Sequence, residues 1–296
     1  MNSGTAAKRV AIVGGYGKMG AWFARFLESE GFAVTIIGRD KDKLAKAAIE
    51  LGVAATDRFE RVAEADIVVL SVPIDAFGSV CQSLAPNVGA NHKVVDLTSV
   101  KTRPVDTMHL HFPRSIVLGA HPVFGPGAAG LGGQNFILTP TSDPERDFAE
   151  NISGWLAARG ANVRIMPPEE HDRLMSISLG LAHFIAIITA DALVSLDKLT
   201  DMNGASGITY KALLTLVESV LSEDPSLYAS IQLNLPQIPE IESLFSEKAR
   251  DWAAMVKQGN RDEFVRRMSE LKSRLEAANP DFGRSYQNLY RLIDRE

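Results

Sequence analysis

The first half of the chain alternates short apolar runs with helical patterns. Residues 10–13 form the first run, which is apolar enough to be buried on both faces as a central parallel strand. Later runs predict strands at 33–37, 53–55, 65–73, 93–97, 116–119, 135–139 and 162–165, and the segments between them predict helices at 21–27, 41–51, 77–84 and 146–159. Strands that alternate with helices pair through right-handed crossovers, so this half predicts a doubly wound, mostly parallel α/β sheet.

The second half of the chain has a different pattern. From Glu169 onward the periodicity is helical, and it predicts helices at 171–197, 206–221, 225–233, 238–258 and 261–277 without a convincing strand. The pair Pro167 and Pro168 separates the two patterns. We therefore expect an N-terminal α/β domain at residues 1–166 and a C-terminal all-helical domain at residues 167–296.

The predicted helix at 171–197 is apolar nearly all round, so both of its faces must be covered. Its most apolar part, 179–196, contains His183 and Asp191, which favours a buried helix over a membrane span. A small domain has too little surface to cover such a helix alone. We expect a second copy of the chain to cover it, so that the helical domain forms a homodimer.

Glycines follow the first apolar run at a characteristic spacing. Residues 13–20 read VGGYGKMG, which fits G-x-G-x-x-G between a strand and a helix. In the Rossmann dinucleotide fold the first glycine makes the turn, the second lets backbone approach a pyrophosphate, and the third packs helix on strand. The residues expected to bind a dinucleotide at this helix N-terminus are Gly15, Tyr16, Gly17, Lys18, Met19 and Gly20. The alternative is an ordinary glycine-rich turn.

The residues after the second strand bear on the type of dinucleotide. NAD-binding folds usually place an acidic side chain there for the ribose, whereas a nearby arginine accommodates the 2′-phosphate of NADP. This chain has Gly38, Arg39 and Asp40 at that point, so Arg39 favours NADP. Asp40 keeps NAD open as a ribose ligand, unless it caps the helix at 41–51.

Two other strand ends carry candidate site residues, because ligands bind at the carboxyl ends of parallel strands. Ser71, Val72 and Pro73 end one strand and are expected to lie along the cofactor. His121 follows the strand at 116–119, and an imidazole that titrates near neutrality can take a hydroxyl proton as hydride leaves the same carbon. Histidines also occupy loops without any chemical role, so His121 is a candidate base.

Composition narrows the classes of partner. The 296 residues are 46% hydrophobic and carry a formal net charge of −5 without a sustained basic run, which argues against nucleic-acid or membrane-surface binding and favours a small-molecule substrate. The single cysteine, Cys81, excludes an intrachain disulfide, and no Cys/His cluster predicts a metal site. The polar N-terminal residues lack the apolar core of a signal peptide, so we expect a cytoplasmic protein.

Five motifs together give the chain a family resemblance. In chain order they are VGGYGKMG at 13–20, DLTSVK at 96–101, HPVFGP at 121–126, LAHF at 181–184 and, more weakly, DPSLYASI at 224–231. Over most of its length the sequence thereby resembles the prephenate and arogenate dehydrogenases of tyrosine biosynthesis, and HPVFGP is the most specific motif. The resemblance implies an NADP- or NAD-dependent enzyme that oxidises the ring hydroxyl of a cyclohexadienyl substrate while carbon dioxide departs.

The resemblance also implies roles for particular residues. His121 matches the family's catalytic base, Ser99 a serine that orients that histidine or the substrate hydroxyl, and His183 a substrate-binding histidine on the long helix. Aromatisation drives the reaction, so the protein mainly orients the hydride donor and removes one proton. Prephenate and arogenate both fit, and feedback by tyrosine is left open.

One position departs from the family pattern. Bacterial members have a carboxylate-binding arginine five residues before the DP pair, where this chain has Ser219. The candidate substitutes are Lys101, Lys211, Arg250 and Arg284. Lys101, which ends the DLTSVK motif, is taken as a substrate-binding residue.

Two alternative functions are weighed against this one. Another two-domain dehydrogenase, of the 3-hydroxyacid or imine type, commonly uses a lysine in its helical domain, and HPVFGP argues against it. A non-catalytic dinucleotide sensor would leave His121, Ser99 and His183 without a role. His171 beside Asp172 is expected to be a helix-start or surface pair and not a second catalytic site.

Overall fold

The computed structural model describes residues 7–202 and 204–293. The chain divides into two compact units between Met175 and Ser176. We call the unit that ends at Met175 the sheet unit and the unit that begins at Ser176 the helical unit.

The sheet unit contains one eight-stranded sheet. Its strands are β1 (Arg9–Val13), β2 (Ala33–Ile37), β3 (Ala54–Thr56), β4 (Ile67–Leu70), β5 (Lys93–Asp96), β6 (Ile116–Pro122), β7 (Asn135–Thr139) and β8 (Asn162–Ile165). They lie in the order β3-β2-β1-β4-β5-β6-β7-β8, and all neighbours pair in parallel except β6 and β7. The predicted doubly wound, mostly parallel sheet is confirmed.

Helices cover both faces of this sheet. They are α1 (Lys18–Ser29), α2 (Lys41–Leu51), α3 (Ile74–Leu84), α4 (Thr102–His111), α5 (Asp143–Ala157) and α6 (Pro168–Met175). Successive strand residues point to opposite faces, so Ile12 packs in one apolar layer with Phe23 and Phe148, and Val13 in the other with Phe77. Burial on both faces is the reason that the central strands read as continuous apolar runs.

The structure differs from the predicted elements at two places that matter for the site. Strand β6 continues through Pro122, because its last residues pair with β7 in antiparallel register, so His121 lies within the strand and not after it. Helix α4 was not predicted, since its sequence buries only Pro104, Val105 and Met108 and gives a short apolar period.

The helical unit has no strand among its described residues, and the all-helical prediction is confirmed. It begins with a π-helical segment, Ser176–Leu181, and continues with α7 (Ala182–Ser195), α8 (Ile208–Leu221), α9 (Pro225–Asn234), α10 (Ile238–Lys257), α11 (Arg261–Ala278) and α12 (Ser285–Ile293). Helix α12 was not predicted. Its sequence does contain an apolar stripe, since Tyr286, Leu289, Tyr290 and Ile293 recur at helical spacing, but none of its residues is buried.

The apolar surface of the helical unit is largely uncovered within one chain. The helical run Pro168–Ser195 is long and apolar enough to cross a membrane by length and composition, yet only 11% of its most apolar 18 residues are buried. Among the large hydrophobic side chains described as exposed, only Ile49 and Leu110 lie in the sheet unit. A single chain therefore leaves this helix without the cover that a buried helix needs.

Candidate active site

The turn between β1 and α1 is tightly packed. Gly14 has a left-handed backbone with φ +81°, and a Cβ there would lie 2.1 Å from the Ser71 carbonyl oxygen. A Cβ on Gly20 would lie 2.4 Å from the Gly14 carbonyl oxygen, so α1 packs directly on the turn. Gly14, which lies outside the predicted triplet, therefore makes the left-handed turn, while Gly15 is required for packing against Ile36.

The N-terminus of α1 offers the geometry of a phosphate site. Gly17 precedes the helix, no side chain among the described residues caps it there, and its first turn holds no acidic residue. A Cβ on Gly17 would meet only the Gly14 carbonyl oxygen, at 3.2 Å, so the backbone is open to an approaching group. Helix N-termini attract anions through their N–H groups and dipole, and the turn thus fits a dinucleotide pyrophosphate.

The end of β2 lies beside this turn. A Cβ on Gly38 would lie 2.1 Å from Cε1 of Tyr16, which means that the tyrosine ring fills the space beside Gly38. Arg39 is exposed. Asp40 caps α2: its Oδ1 accepts a hydrogen bond from the backbone N–H of Lys43 at 3.1 Å, and this bond lowers the pKa of the Asp40 carboxyl. The helix-cap alternative for Asp40 is the one that the structure shows.

The end of β4 also meets the glycine turn. The Ser71 N–H donates to the Val13 carbonyl oxygen at 2.9 Å, and the Ser71 carbonyl approaches Gly14. Val72 is half-buried, and Pro73 precedes α3 as its N-cap residue. The structure brings this segment to the predicted cofactor turn, and its contact with cofactor stays a prediction.

A chain of hydrogen-bonded side chains runs from β6 into α6. His121 is 4% exposed, and its Nδ1 lies 2.8 Å from Nε2 of His171. The Nδ1 atom of His171 lies 2.8 Å from Oδ1 of Asp172. Both α6 residues are buried because α6 packs against α4 and β7. The expectation that His171 and Asp172 form a surface pair is therefore wrong, although they do lie in the first turns of a helix.

Asp172 is also tied to the start of α4. Its Oδ1 accepts a hydrogen bond from the backbone N–H of Lys101 at 2.7 Å, and its Oδ2 accepts one from Thr102 at 2.9 Å. Burial opposes ionisation of Asp172, but the hydrogen bonds from His171 and Thr102 outweigh it and lower the pKa of the carboxyl. Asp172 is thus a fixed carboxylate at a helix N-terminus.

The two histidines are held in their neutral forms. Burial, then the neighbouring His171 and Lys101, lower the pKa of His121 well below its ordinary value. Burial is also the main cause that lowers the pKa of His171, against the opposing effect of Asp172. At neutral pH His121 is therefore an uncharged imidazole, which is the form that can accept a proton.

Lys101 and Asp96 form a fully buried ion pair next to β6. The Lys101 ammonium donates to Oδ2 of Asp96 and, at 2.8 Å, to the carbonyl oxygen of Ala120, the residue before His121. Burial lowers the pKa of Lys101 and raises the pKa of Asp96, while their mutual attraction opposes both shifts. The expectation that Lys101 binds a substrate carboxylate is not supported, because its ammonium is enclosed and engaged. Lys101 instead anchors the strand that carries His121.

The roles predicted for Ser99, in orienting His121 or the substrate hydroxyl, and for His183, in binding substrate, stay predictions. The Ser99 side chain is half-buried in the β5–α4 turn and makes no hydrogen bond to another described residue. In the helical unit, the His183 ring packs edge-on against Tyr228 with centroids 4.6 Å apart. Its Nδ1 atom is buried and has no hydrogen-bond partner among the described residues, so a ligand could satisfy it.

The structure assigns no replacement for the arginine that the family pattern expects near Ser219. The Ser219 hydroxyl donates to the Leu216 carbonyl oxygen of its own helix at 2.8 Å. Lys211, Arg250 and Arg284 are exposed residues of the helical unit. Each of them stays a candidate.

Sequence reasoning missed the part played by His171 and Asp172. The available signal was a histidine directly before an aspartate in the first turns of an apolar helix, where polar side chains need partners once they are buried. The partner of His171 is 50 residues away in the chain, so local pattern could not identify it.

Two family models match the chain in succession. The model described as "Prephenate dehydrogenase, nucleotide-binding domain" matches residues 23–165, and the one described as "Prephenate dehydrogenase, dimerization domain" matches residues 167–270. Together they cover most of the sheet unit and much of the helical unit.

Relatives with known names agree. The chain is 34% identical over 265 residues to a probable arogenate/prephenate dehydrogenase of Methanocaldococcus jannaschii, covering 88% of this chain and 59% of that one. It is 30% identical over 266 residues to the T-protein of Haemophilus influenzae, covering 86% and 65%. The chain thus spans about two thirds or less of the length of these curated relatives. The crystal structure of prephenate dehydrogenase from A. aeolicus with hydroxyphenyl propionate and NAD+ has the same fold, with a TM-score of 0.75 at 22% identity over 94% of this chain and 100% of that one.

Proposed function

Because the chain belongs to the prephenate dehydrogenase family, we propose that it oxidises prephenate to 4-hydroxyphenylpyruvate or arogenate to tyrosine, with loss of carbon dioxide and transfer of hydride to a nicotinamide dinucleotide. The observation that carries the proposal is the buried neutral His121. Its Nδ1 is engaged by His171, which leaves Nε2 for a substrate hydroxyl. The names of the relatives support this reaction and do not favour a 3-hydroxyacid or imine dehydrogenase or a dinucleotide sensor.

The residues of the sheet unit account for the proton in this reaction. The carbon that loses hydride carries the ring hydroxyl, and His121 takes the proton from the oxygen of this hydroxyl. Bound nicotinamide supplies the hydride acceptor. The departing carbon dioxide leaves an aromatic ring, so the reaction needs orientation and a base more than it needs strong charge stabilisation. Ser99, whose hydroxyl has no described partner, is proposed to orient the same substrate hydroxyl.

The proposed cofactor is NADP in preference to NAD. Gly17, Lys18 and Met19 at the start of α1 would hold the pyrophosphate. Two observations support NADP: the Tyr16 ring leaves no room for an acidic side chain at Gly38, and Asp40 is engaged as a helix cap while Arg39 is exposed. The related A. aeolicus enzyme was crystallised with NAD+, so NAD is the alternative to be measured.

The helical unit is proposed to supply a substrate contact and the dimer interface. His183 is the proposed substrate ligand, on the strength of its buried Nδ1 without a described partner. The match to a dimerisation domain and the uncovered apolar helix support a homodimer through this unit. A cytoplasmic location is part of the same proposal, and the single buried cysteine is consistent with a reducing compartment.

One assay tests the proposed function directly. Purified protein is mixed with prephenate or arogenate, each with NADP or NAD, and the absorbance of reduced nicotinamide is followed. We expect reduction with at least one of the four combinations, and faster turnover with NADP. A preparation of His121→Asn, purified in the same way, is the control for contaminating dehydrogenases. Absence of reduction in all four mixtures would overturn the proposal.

A further inference from the structure

We propose that His171 and Asp172 are positioning residues that fix His121 with its proton on Nδ1 and its lone pair on Nε2, and that His171 then receives the proton displaced from His121 during turnover. The proposal deepens the proposed function and rests on it. It rests on the direction of the hydrogen bonds that link the backbone N–H groups of Lys101 and Thr102, through Asp172 and His171, to His121.

The direction is set at Asp172. Its two oxygens accept hydrogen bonds from the backbone N–H groups of Lys101 and Thr102, at 2.7 and 2.9 Å. Backbone N–H groups can only donate, so both oxygens are acceptors. A carboxylate that accepts from two amides has no proton to offer to His171. The 2.8 Å contact between His171 Nδ1 and Asp172 Oδ1 is therefore an N–H donated by the histidine.

The next hydrogen bond follows from the first. A neutral imidazole carries one proton, and His171 carries it on Nδ1, so its Nε2 is an acceptor. The 2.8 Å contact between His171 Nε2 and His121 Nδ1 must then be donated by His121. With its proton on Nδ1, His121 keeps the lone pair on Nε2. Without this chain an isolated imidazole could adopt either tautomer, and one of the two is inactive as a base at Nε2.

The charges around the two rings favour transfer of the proton to His171. The Lys101 ammonium, held by Asp96 and the Ala120 carbonyl, disfavours a positive charge on both His121 and His171. His171 differs in lying next to the Asp172 carboxylate, whose attraction, with that of Asp96, favours the charge there. These are the charged groups that β5, α4 and α6 direct at the pair. An imidazolium is thus more stable on the ring beside the carboxylate.

The proton balance is closed. The substrate hydroxyl proton binds Nε2 of His121, and the proton on Nδ1 of His121 passes to Nε2 of His171, while the hydride leaves separately for the nicotinamide. The resulting His171 imidazolium is paired with Asp172. His171 is fully buried, so its extra proton returns to solvent by the reverse route, through His121, once product has left.

The first test reads the tautomer without any turnover. Nitrogen-15 spectra of protein with labelled histidine, assigned by comparison with His121→Asn, should show His121 protonated on Nδ1 and unprotonated on Nε2 at neutral pH. A proton on Nε2 would overturn the proposal. Because no substrate is needed, this result stands or falls independently of the proposed function.

The second test separates positioning from proton transfer. In His171→Gln, the amide oxygen can still accept from Nδ1 of His121, but it cannot bind a proton. We expect kcat to fall about 10- to 100-fold, which is less than the loss of a general base, while KM changes little. The dependence of kcat on the fraction of heavy water should be curved in the wild type, where two protons move, and linear in the variant.

His109→Gln is the matched control. His109 lies in the same unit, where its Nε2 is 2.7 Å from Oε1 of Glu145, and its side chain is 42% exposed. Its replacement should therefore leave kcat and the heavy-water dependence unchanged. A linear dependence in the wild type, or equal kcat in wild type and His171→Gln, would overturn the transfer step. If His171→Gln does not fold, as judged by circular dichroism, the wild-type tautomer and heavy-water curve still decide the proposal.

Discussion

The Tyr16 ring occupies the place that a side chain at residue 38 would need. A Cβ built on Gly38 would lie 2.1 Å from Cε1 and 2.5 Å from Cδ1 of Tyr16, well inside van der Waals contact. The two residues belong to the two segments that a dinucleotide must touch, the glycine turn and the end of β2. We therefore expect the choice of cofactor to depend on the packing of the Tyr16 ring.

This coupling predicts how the cofactor preference can be changed. Gly38→Asp alone should weaken the binding of both dinucleotides, because the new side chain displaces Tyr16 from the turn. Adding Tyr16→Ala should clear the space and let the carboxylate reach a ribose, so that NAD binding recovers while NADP binding does not. Fluorescence titrations with both cofactors measure the effect. Additive effects of the two substitutions would contradict the coupling.

Arg39 should carry most of the preference for NADP. An arginine that pairs with a phosphate contributes roughly 1.5–3 kcal/mol, so Arg39→Ala should raise the Kd of NADP about 10- to 100-fold and change that of NAD much less. Lys46→Ala is the control, since Lys46 is an exposed cation on α2 whose contact is with Glu50. Equal losses for both cofactors would show that Arg39 does not read the 2′-phosphate.

His121→Asn should abolish most of the activity without loss of the cofactor site. Removal of a general base costs about 10²- to 10⁴-fold in rate, and the α1 turn lies on other strands of the sheet. We expect kcat to fall by this factor while the Kd of the dinucleotide stays within about twofold. Turnover close to that of the wild type would remove His121 from the role of base.

The same histidine predicts a pH dependence of stability. His121 titrates near 6.5 in the unfolded chain, whereas burial holds its pKa well below that in the folded protein. Between the two values the unfolded state binds more protons, so this contribution to the free energy of unfolding is complete above about pH 6.5 and is lost as pH falls toward the folded-state pKa. The urea midpoint should fall more between about pH 7 and pH 5 in wild type than in His121→Asn. Equal falls would contradict the depressed pKa.

The sequence was sufficient for the elements that a local pattern defines. The bounds of β2 and α2 are as predicted, because the apolar run ends at Ile37, directly before Gly38, and Asp40 caps the helix that follows. The glycine turn was placed correctly for the same reason. Even there the left-handed residue is Gly14 and not Gly15, since the exact phase of a turn depends on which neighbour, here Ser71, crosses it.

The polar site was only partly visible in the sequence. His121 could be selected by its motif, but its partner on α6 depends on how that helix packs against α4 and β7, which no local pattern contains. For Lys101 the sequence prediction is wrong. The position of this lysine after a strand predicts a ligand for an anion, whereas the structure buries its ammonium against Asp96, five residues earlier. In the sequence, a lysine that pairs with a carboxylate of its own chain cannot be told from one that binds a substrate.

The uncovered helix gives the last prediction. Ile187 and Val194 are seven residues apart on α7, hence on one face, and are 37% and 64% exposed. If a second copy covers this face, the double variant Ile187→Glu with Val194→Glu places unpaired carboxylates in the interface. Burying such charges weakens the free energy of dimerisation by about several kcal/mol. Light scattering should give a dimer for wild type and a monomer for the variant.

The control for this variant is Ile49→Glu, which adds a carboxylate at a side chain that is 84% exposed on α2 of the sheet unit and should leave the dimer intact. A monomeric wild type, or a variant that stays dimeric, would show that α7 does not form the interface. The alternative is that a lipid bilayer covers the apolar helix. Flotation with phosphatidylcholine vesicles tests it, because a membrane-bound chain would rise with the lipid. If a second copy covers this face, the wild-type chain should stay in the lipid-free fraction. The double variant should stay there too, but as a monomer.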